Sequence, residues 1–266
     1  MSTVIKVENL SKKFRIGRLR RDEGTLRDLF GNALKHPFKN RADNENANTL
    51  WALRDINFEV KQGDTLGIVG GNGAGKSTLL KILSRIIRPT TGRARLIGRV
   101  GSLLEVGTGF HQDLTGRENV FLNGAVLGMR RRETEKKFDE IIAFAEIERF
   151  IDTPVKFYST GMYMRLAFAV AAHLEPDILI LDEVLAVGDA AFQDKCLGKM
   201  DEAVQSGRTV LFVSHTSSMV ERLCKKALYL KNGNLEDFGE MKTVLARYEA
   251  DYQTPAALET EVLNTI

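Results

Sequence analysis

Residues 70–78 read Gly-Gly-Asn-Gly-Ala-Gly-Lys-Ser-Thr and match the pattern G-x-x-x-x-G-K-[ST]. The run before it, 65–69 (Thr-Leu-Gly-Ile-Val), is short and apolar, as a strand buried in a parallel sheet is. The run after it, 79–83 (Leu-Leu-Lys-Ile-Leu), fits the first turns of a helix. Gly70, Gly73 and Gly75 let the backbone turn without a Cβ in the way, so that N–H groups converge on an anion. The helix start adds partial positive charge at the same place. Lys76 supplies a mobile point charge for β- and γ-phosphates, and Ser77 offers a hydroxyl to Mg²⁺. The cradle takes in Gly70, Gly71, Asn72, Gly73, Ala74, Gly75, Lys76, Ser77 and Thr78. A glycine-rich turn that binds nothing has no need of strand, loop, Lys-Ser and helix in that order.

With 266 residues, 43% of them hydrophobic, the chain can bury a substantial core, and one nucleotide-binding domain with an insertion or small second lobe is expected. No apolar run is long enough to span a bilayer and the start, Met-Ser-Thr-Val-Ile-Lys-Val-Glu, has no signal-peptide pattern. A cytoplasmic chain is therefore expected, reaching any membrane through a partner or a surface. Cys196 and Cys224 lie far apart without metal-ligand spacing and read as buried free thiols of a reducing compartment. A net charge of +3 is too mild to argue for nucleic acid, which is not expected as a partner.

Strand patterns fall at 4–7, 56–60, 93–99, 178–181, 209–213 and 227–230, with a hairpin turn at 231–234 leading to 235–238. Between the first two lies a basic insertion, about 15–49. Leu26, Leu29, Phe30, Ala33 and Leu34 fall there at helical spacing, which predicts a short amphipathic helix. That helix either packs on its own domain or lies against anionic headgroups or a phosphorylated substrate. Residues 101–118 read as a loop, 119–152 as helical and 162–174 as a buried helix. Strands alternating with helices around a phosphate loop imply a mainly parallel sheet covered on both faces. The stretch 119–174 is then a separate helical lobe.

Residues 178–183 form an apolar strand that ends in two carboxylates, Asp182 and Glu183. Ligands of a parallel α/β sheet sit beyond the carboxyl ends of its strands. Asp182 there faces the Mg²⁺ shell, and Glu183 faces the attacking water as general base. A strand ending in a solvated acidic pair is the plainer reading, which the preceding phosphate loop disfavours. A second buried strand, 209–213, leads to Ser214 and His215, whose imidazole can donate to a γ-phosphate oxygen. Ser159 can cap the helix that follows, and Gly161 permits close backbone approach. On local grounds this is an ordinary N-cap.

Order along the chain changes that weighting. Phosphate loop, then Tyr-Ser-Thr-Gly-Met at 158–162, Leu-Asp-Glu at 181–183, Ala-Val-Gly-Asp at 186–189 and Ser-His at 214–215 resembles the ATP-binding cassette (ABC) ATPases. Residues 104–111, 114–119, 158–168 and 185–189 look most like the ATPase subunit of bacterial polysaccharide exporters, which move lipid-linked O-antigen, capsule or teichoic acid. The resemblance covers about residues 4–248. It implies an α/β P-loop fold with a mainly parallel core sheet, an antiparallel β part and a helical subdomain. A single domain over 1–250 and a short tail at 251–266 are expected.

By the same resemblance, two cassettes pair head to tail around ATP and Mg²⁺, and Ser159 and Gly161 of one reach the γ-phosphate held by the other. Asp189 couples the two sites, Phe14 stacks on adenine, and Glu105 joins Ser77 and Asp182 at the metal. The loop from Glu105 onward grips a membrane permease subunit, expected in two copies, with lipid-linked polysaccharide as cargo. The location implied is peripheral, on the cytoplasmic face of the inner membrane. Thr160 and Met162 depart from the usual Leu-Ser-Gly-Gly-Gln signature, Gly71 replaces a common proline, and Glu105 stands where a glutamine is usual. The C-terminal carbohydrate-binding domain of many such exporters is not expected. Another ABC exporter, or a soluble ABC ATPase, is the alternative. The signature and Glu105 argue against the first. The lack of tandem cassettes or coiled-coil insertions argues against the second.

Overall fold

The computed structural model describes residues 2–15, 49–104, 107–182, 189–213 and 217–251. The strands are β1 (Thr3–Arg15), β2 (Thr49–Lys61), β3 (Thr65–Val69), β4 (Thr91–Leu96), β5 (Val100–Ser102), β6 (Ile178–Leu181), β7 (Thr209–Val213), β8 (Lys226–Lys231) and β9 (Asn234–Glu240). The helices are α1 (Lys76–Leu83), α2 (Gly116–Val126), α3 (Arg131–Ala145), α4 (Thr160–Ala172), α5 (Ala190–Gln205) and α6 (Ser217–Leu223). A further helix, α7, covers 241–251. The expected amphipathic helix around residues 26–34 lies outside the described residues.

β2-β1-β4 form an antiparallel sheet, and β5-β6-β7-β3-β8-β9 form a second sheet that is parallel except for the β8–β9 hairpin. All residues of β3, β6 and β7 are buried. Alternate residues of such strands face opposite layers. Leu211 and Val213 join a core shared with the antiparallel sheet and α1, through Leu10, Ile56, Leu79 and Leu80. Val210 and Phe212 join a second core with α5, α6 and α7, through Phe192, Met200, Val220 and Leu245. Cys196 and Cys224 lie in this second core, where burial pushes each thiol up to about 12 and leaves it unreactive near neutral pH.

Residues 119–152, expected as one helical stretch, are two α-helices followed by a short 3-10 turn at Glu148–Phe150. Gly128 takes φ 88 between the two α-helices, a left-handed turn that no straight helix passes through. α2, α3 and α4 pack around Val120, Phe138, Ile141, Leu166 and Val170. The entry to α2 is built from the Leu-Thr-Gly-Arg-Glu-Asn run. Thr115 Oγ1 accepts from the Glu118 amide at 3.2 Å, and the Glu118 carboxylate accepts from the Thr115 amide at 2.8 Å. Fully buried Asn119 donates to the carbonyls of His111, Leu114 and Thr115, pinning the preceding loop. Residues 100–102, partly read as loop, are the edge strand β5, paired with β6 through Val100↔Ile178.

α1 joins the phosphate loop to the first core by burying Leu79, Leu80, Ile82 and Leu83. Leu79→Ala should cost about 3 kcal/mol and lower the melting midpoint by about 6–12 °C. An unchanged midpoint in a thermal scan would contradict this packing.

Candidate functional site

β3 ends at Val69 and α1 begins at Lys76, so the glycine-rich loop crosses the carboxyl end of the parallel sheet. Gly75 closes the loop at φ 108, and no side chain caps the helix. The first N–H groups of a helix have no intrahelical acceptor, so they remain for an anion. The loop is tied down from outside: Gly233 in the β8–β9 turn donates to the Ala74 carbonyl at 3.0 Å, and Arg54 of β2 donates to the Gly233 carbonyl at 2.8 Å.

Lys76 is only 6% exposed. Its ammonium donates to the Gly70 carbonyl at 2.6 Å and the Gly71 carbonyl at 3.0 Å. A buried charge needs such partners, and here the glycine-rich loop itself supplies them. A cleft of about 310 Å³ opens beside it, lined by the loop from Asn72 to Thr78, by Asp182 just past β6, and by Phe14, Leu50 and Trp51. Its polar lining is backbone N–H, one ammonium, two hydroxyls, one carboxamide, one indole N–H and one carboxylate. That set suits a phosphate chain with a hard divalent cation, to which the Ser77 hydroxyl and the Asp182 carboxylate offer oxygen donors. Among the described residues no group of three His, Cys, Asp or Glu side chains could hold a metal by itself. A Mg²⁺ that keeps waters and phosphate oxygens needs no such group.

The structure therefore brings Phe14, Ser77 and Asp182 to one cleft with the loop. Lys12 Nζ lies 5.1 Å from the centre of the Phe14 ring, and Lys13 Nζ 5.5 Å from that of Trp51. Trp51 was not among the expected site residues. It lines the cleft because β1 pairs Lys13 with Trp51 and Phe14 with Leu50, a register that neither segment reveals alone. Glu105, Glu183, Ser214 and His215 lie outside the described residues.

Ser159, Gly161 and Asp189 do not line this cleft. Ser159 is the N-cap of α4, its Oγ accepting from the Met162 amide at 3.1 Å, and residues 159–161 are exposed. Tyr163, one turn on, donates from its hydroxyl to the Gly107 carbonyl at 2.7 Å, linking α4 to the loop after β5. Asp189 caps α5 by accepting from the Phe192 amide at 2.9 Å, and it accepts from Arg165 at 2.6 Å. The Phe192 amide first, and Arg165 with it, hold its carboxyl below the usual range. Arg165 also pairs with Glu146 at 2.6 Å, and Glu146 with Lys195. Lys195, then Arg165, lowers the Glu146 carboxyl likewise. Arg165 thus ties the start of α4 to the start of α5, a link with no signal in local sequence.

The sequence profile of the ABC transporter family matches residues 53–186. The chain is 45% identical over 242 residues to the O-antigen export system ATP-binding protein RfbB of Myxococcus xanthus, covering 91% of this chain and 54% of that protein. It is 46% identical over 198 residues to RfbB of Klebsiella pneumoniae, covering 74% and 80%. It is also 40% identical over 246 residues to the teichoic acids export ATP-binding protein TagH of Enterococcus faecalis, covering 92% and 52%. The chain thus spans about half the length of the Myxococcus and Enterococcus relatives. In three dimensions it is similar to a dimeric ATP-binding cassette in a post-hydrolysis state with ADP and Pi, with TM-score 0.65 and 24% identity over 89% of this chain and 98% of that one. That likeness establishes the α/β cassette fold.

Proposed function

The chain belongs to the ABC transporter family, and from that premise we propose that it is the ATP-hydrolysing subunit of an exporter of lipid-linked polysaccharide. The reading rests on relatives whose names describe O-antigen and teichoic acid export. It further proposes a single nucleotide-binding domain over about 1–250, with a basic insertion at about 15–49, a helical lobe at about 119–174 and a tail at 251–266. The subunit works as a homodimer on a two-copy membrane permease, peripheral to the cytoplasmic face of the inner membrane. No helix among the described residues is long and apolar enough to cross a membrane.

One observation carries the mechanism. The exposed, capped start of α4 stands outside the phosphate cleft of its own chain. A helix start with free N–H groups is half of an anion site, and a second copy can bring the other half. In the dimer, Lys76 and the loop hold the β- and γ-phosphates while Ser159 and Gly161 of the opposite subunit reach the γ-phosphate. Phe14 offers a face to adenine. Glu183 takes a proton from the attacking water, and His215 donates to a γ-phosphate oxygen. Ser77, Asp182 and Glu105 would hold Mg²⁺, which would supply charge neutralisation at the phosphate oxygens. Asp189, anchored by Arg165, couples the two sites. Loss of the γ-phosphate removes contacts that span the interface, so the dimer relaxes and the permease follows.

Two measurements test the shared site. Specific hydrolysis should rise with protein concentration as subunits pair. Ser159→Tyr should cut it about 100-fold while losing only the ~1 kcal/mol of a helix cap. Native-rate hydrolysis by a strict monomer, or by the Ser159→Tyr protein, would overturn the reading.

A further inference from the structure

The phosphate cleft lies at the carboxyl ends of β3 and β6. At the opposite, amino ends of β5 and β6 lies a cleft of about 700 Å³, bounded by Arg99 and Val100, the α2–α3 turn, the first turns of α3, and Glu175. This size falls in the range of ligand pockets, roughly 300–1,000 Å³. Its charges sort into two groups. The acidic residues are already engaged. Arg99 binds Glu133 at 3.1 Å and the Gly128 carbonyl at 2.7 Å, and Lys137 binds Glu175 at 3.0 Å. Lys137 foremost holds the Glu175 carboxyl below its usual range.

Arg130, Arg132 and Lys136 remain. All three are exposed and line the cleft, and among the described residues no carboxylate pairs with their side chains. Arg132 and Lys136 stand one helical turn apart on α3, a spacing at which like charges destabilise a helix. Their neighbour Arg131, by contrast, pairs with Glu135 at 3.0 Å outside the cleft. The same turn of helix therefore neutralises its outward cation and leaves uncompensated those that border the cavity. Two guanidinium forks and an ammonium around one hollow suit oxyanions held by paired hydrogen bonds. Val100 and Leu127 add apolar surface to the lining.

We propose that this cleft is a second anion site, separate from the phosphate cleft, for a compact polyanion carrying two or more phosphate groups. Arg130, Arg132 and Lys136 contact the phosphates, and Arg99 and Lys137 hold the walls in place. Phosphates of a soluble oligophosphate and phosphates of an anionic membrane surface share this chemistry. The assignment does not depend on the export function.

The test adds inorganic tripolyphosphate to the full native chain and follows amide hydrogen exchange. Protection should appear over residues 127–137 as well as over 70–78, and Arg132→Glu/Lys136→Glu should weaken only the former, by about tenfold or more in apparent affinity. ATP hydrolysis by that double variant should stay within about twofold of native, since neither residue touches the phosphate cleft. Protection confined to 70–78, or unchanged over 127–137 in the double variant, overturns the proposal. Where tripolyphosphate does protect 127–137, cosedimentation with phosphatidylglycerol vesicles that the double substitution abolishes supports the proposal with a headgroup array as the source. Tripolyphosphate protection without cosedimentation supports it with a soluble oligophosphate.

Discussion

Lys76→Ala should lower ATP hydrolysis by about 10²–10³-fold or more, the range for removing a preorganised charge donor aimed at a transition state. The structure adds a second consequence. The Lys76 ammonium is held inside the protein by the carbonyls of Gly70 and Gly71. Its removal leaves two acceptors short of a donor, a loss of about 1–3 kcal/mol for each one that water cannot reach. The two effects separate in one thermal experiment. Native protein at 100 times the nucleotide dissociation constant gains about 2.7 kcal/mol of stability. The variant should start lower and gain almost nothing on adding nucleotide. A full nucleotide-induced shift in the Lys76→Ala protein would show that the ammonium does not carry phosphate binding.

Gly70→Val should disable the same loop by a steric route. A Cβ at Gly70 would stand 2.2 Å from the Leu230 carbonyl oxygen and 3.1 Å from the Ala74 Cβ. Gly70 also sits at φ +149, which a β-branched residue avoids. Leu230 belongs to β8, so the clash is with sheet backbone and cannot be relieved by a rotamer change. The expected result is a stability loss of about 3 kcal/mol or more together with loss of nucleotide-induced stabilisation. Gly198→Ala in α5 is the control, because nothing lies within 4 Å of its added Cβ. It should bind nucleotide normally and gain up to about 1 kcal/mol of stability. Equal behaviour of the two variants in melting and nucleotide-binding assays would refute the packing argument.

Much of this molecule could be read before any fold was known. Strand 65–69, the loop and the helix after it follow from covalent and steric rules that act over a few residues. The runs at 178–181 and 209–213 are apolar at every position, which is how strands covered on both faces appear. Other features had no local mark. Val100–Ser102 is too short and too polar to announce a strand, and it is one only because β6 lies beside it. The break between α2 and α3 was hidden because helical periodicity continues on either side of Gly128. Trp51 reaches the phosphate cleft through a cross-strand register. The cationic cleft at Arg130, Arg132 and Lys136 is built from α3 against the amino ends of two strands distant in sequence.

The order of its motifs was enough to assign the chain to the cassette ATPases and to nominate Lys76, Ser77 and Asp182, because backbone turns, helix starts and strand ends are local events with local residue requirements. Which of those groups share a cleft was decided only in three dimensions. Ser77 and Asp182 meet there, whereas Ser159 stands apart from it. The physical reason is that strand pairing and helix packing join residues by surface complementarity, and the chain carries no record of that complementarity until both surfaces exist.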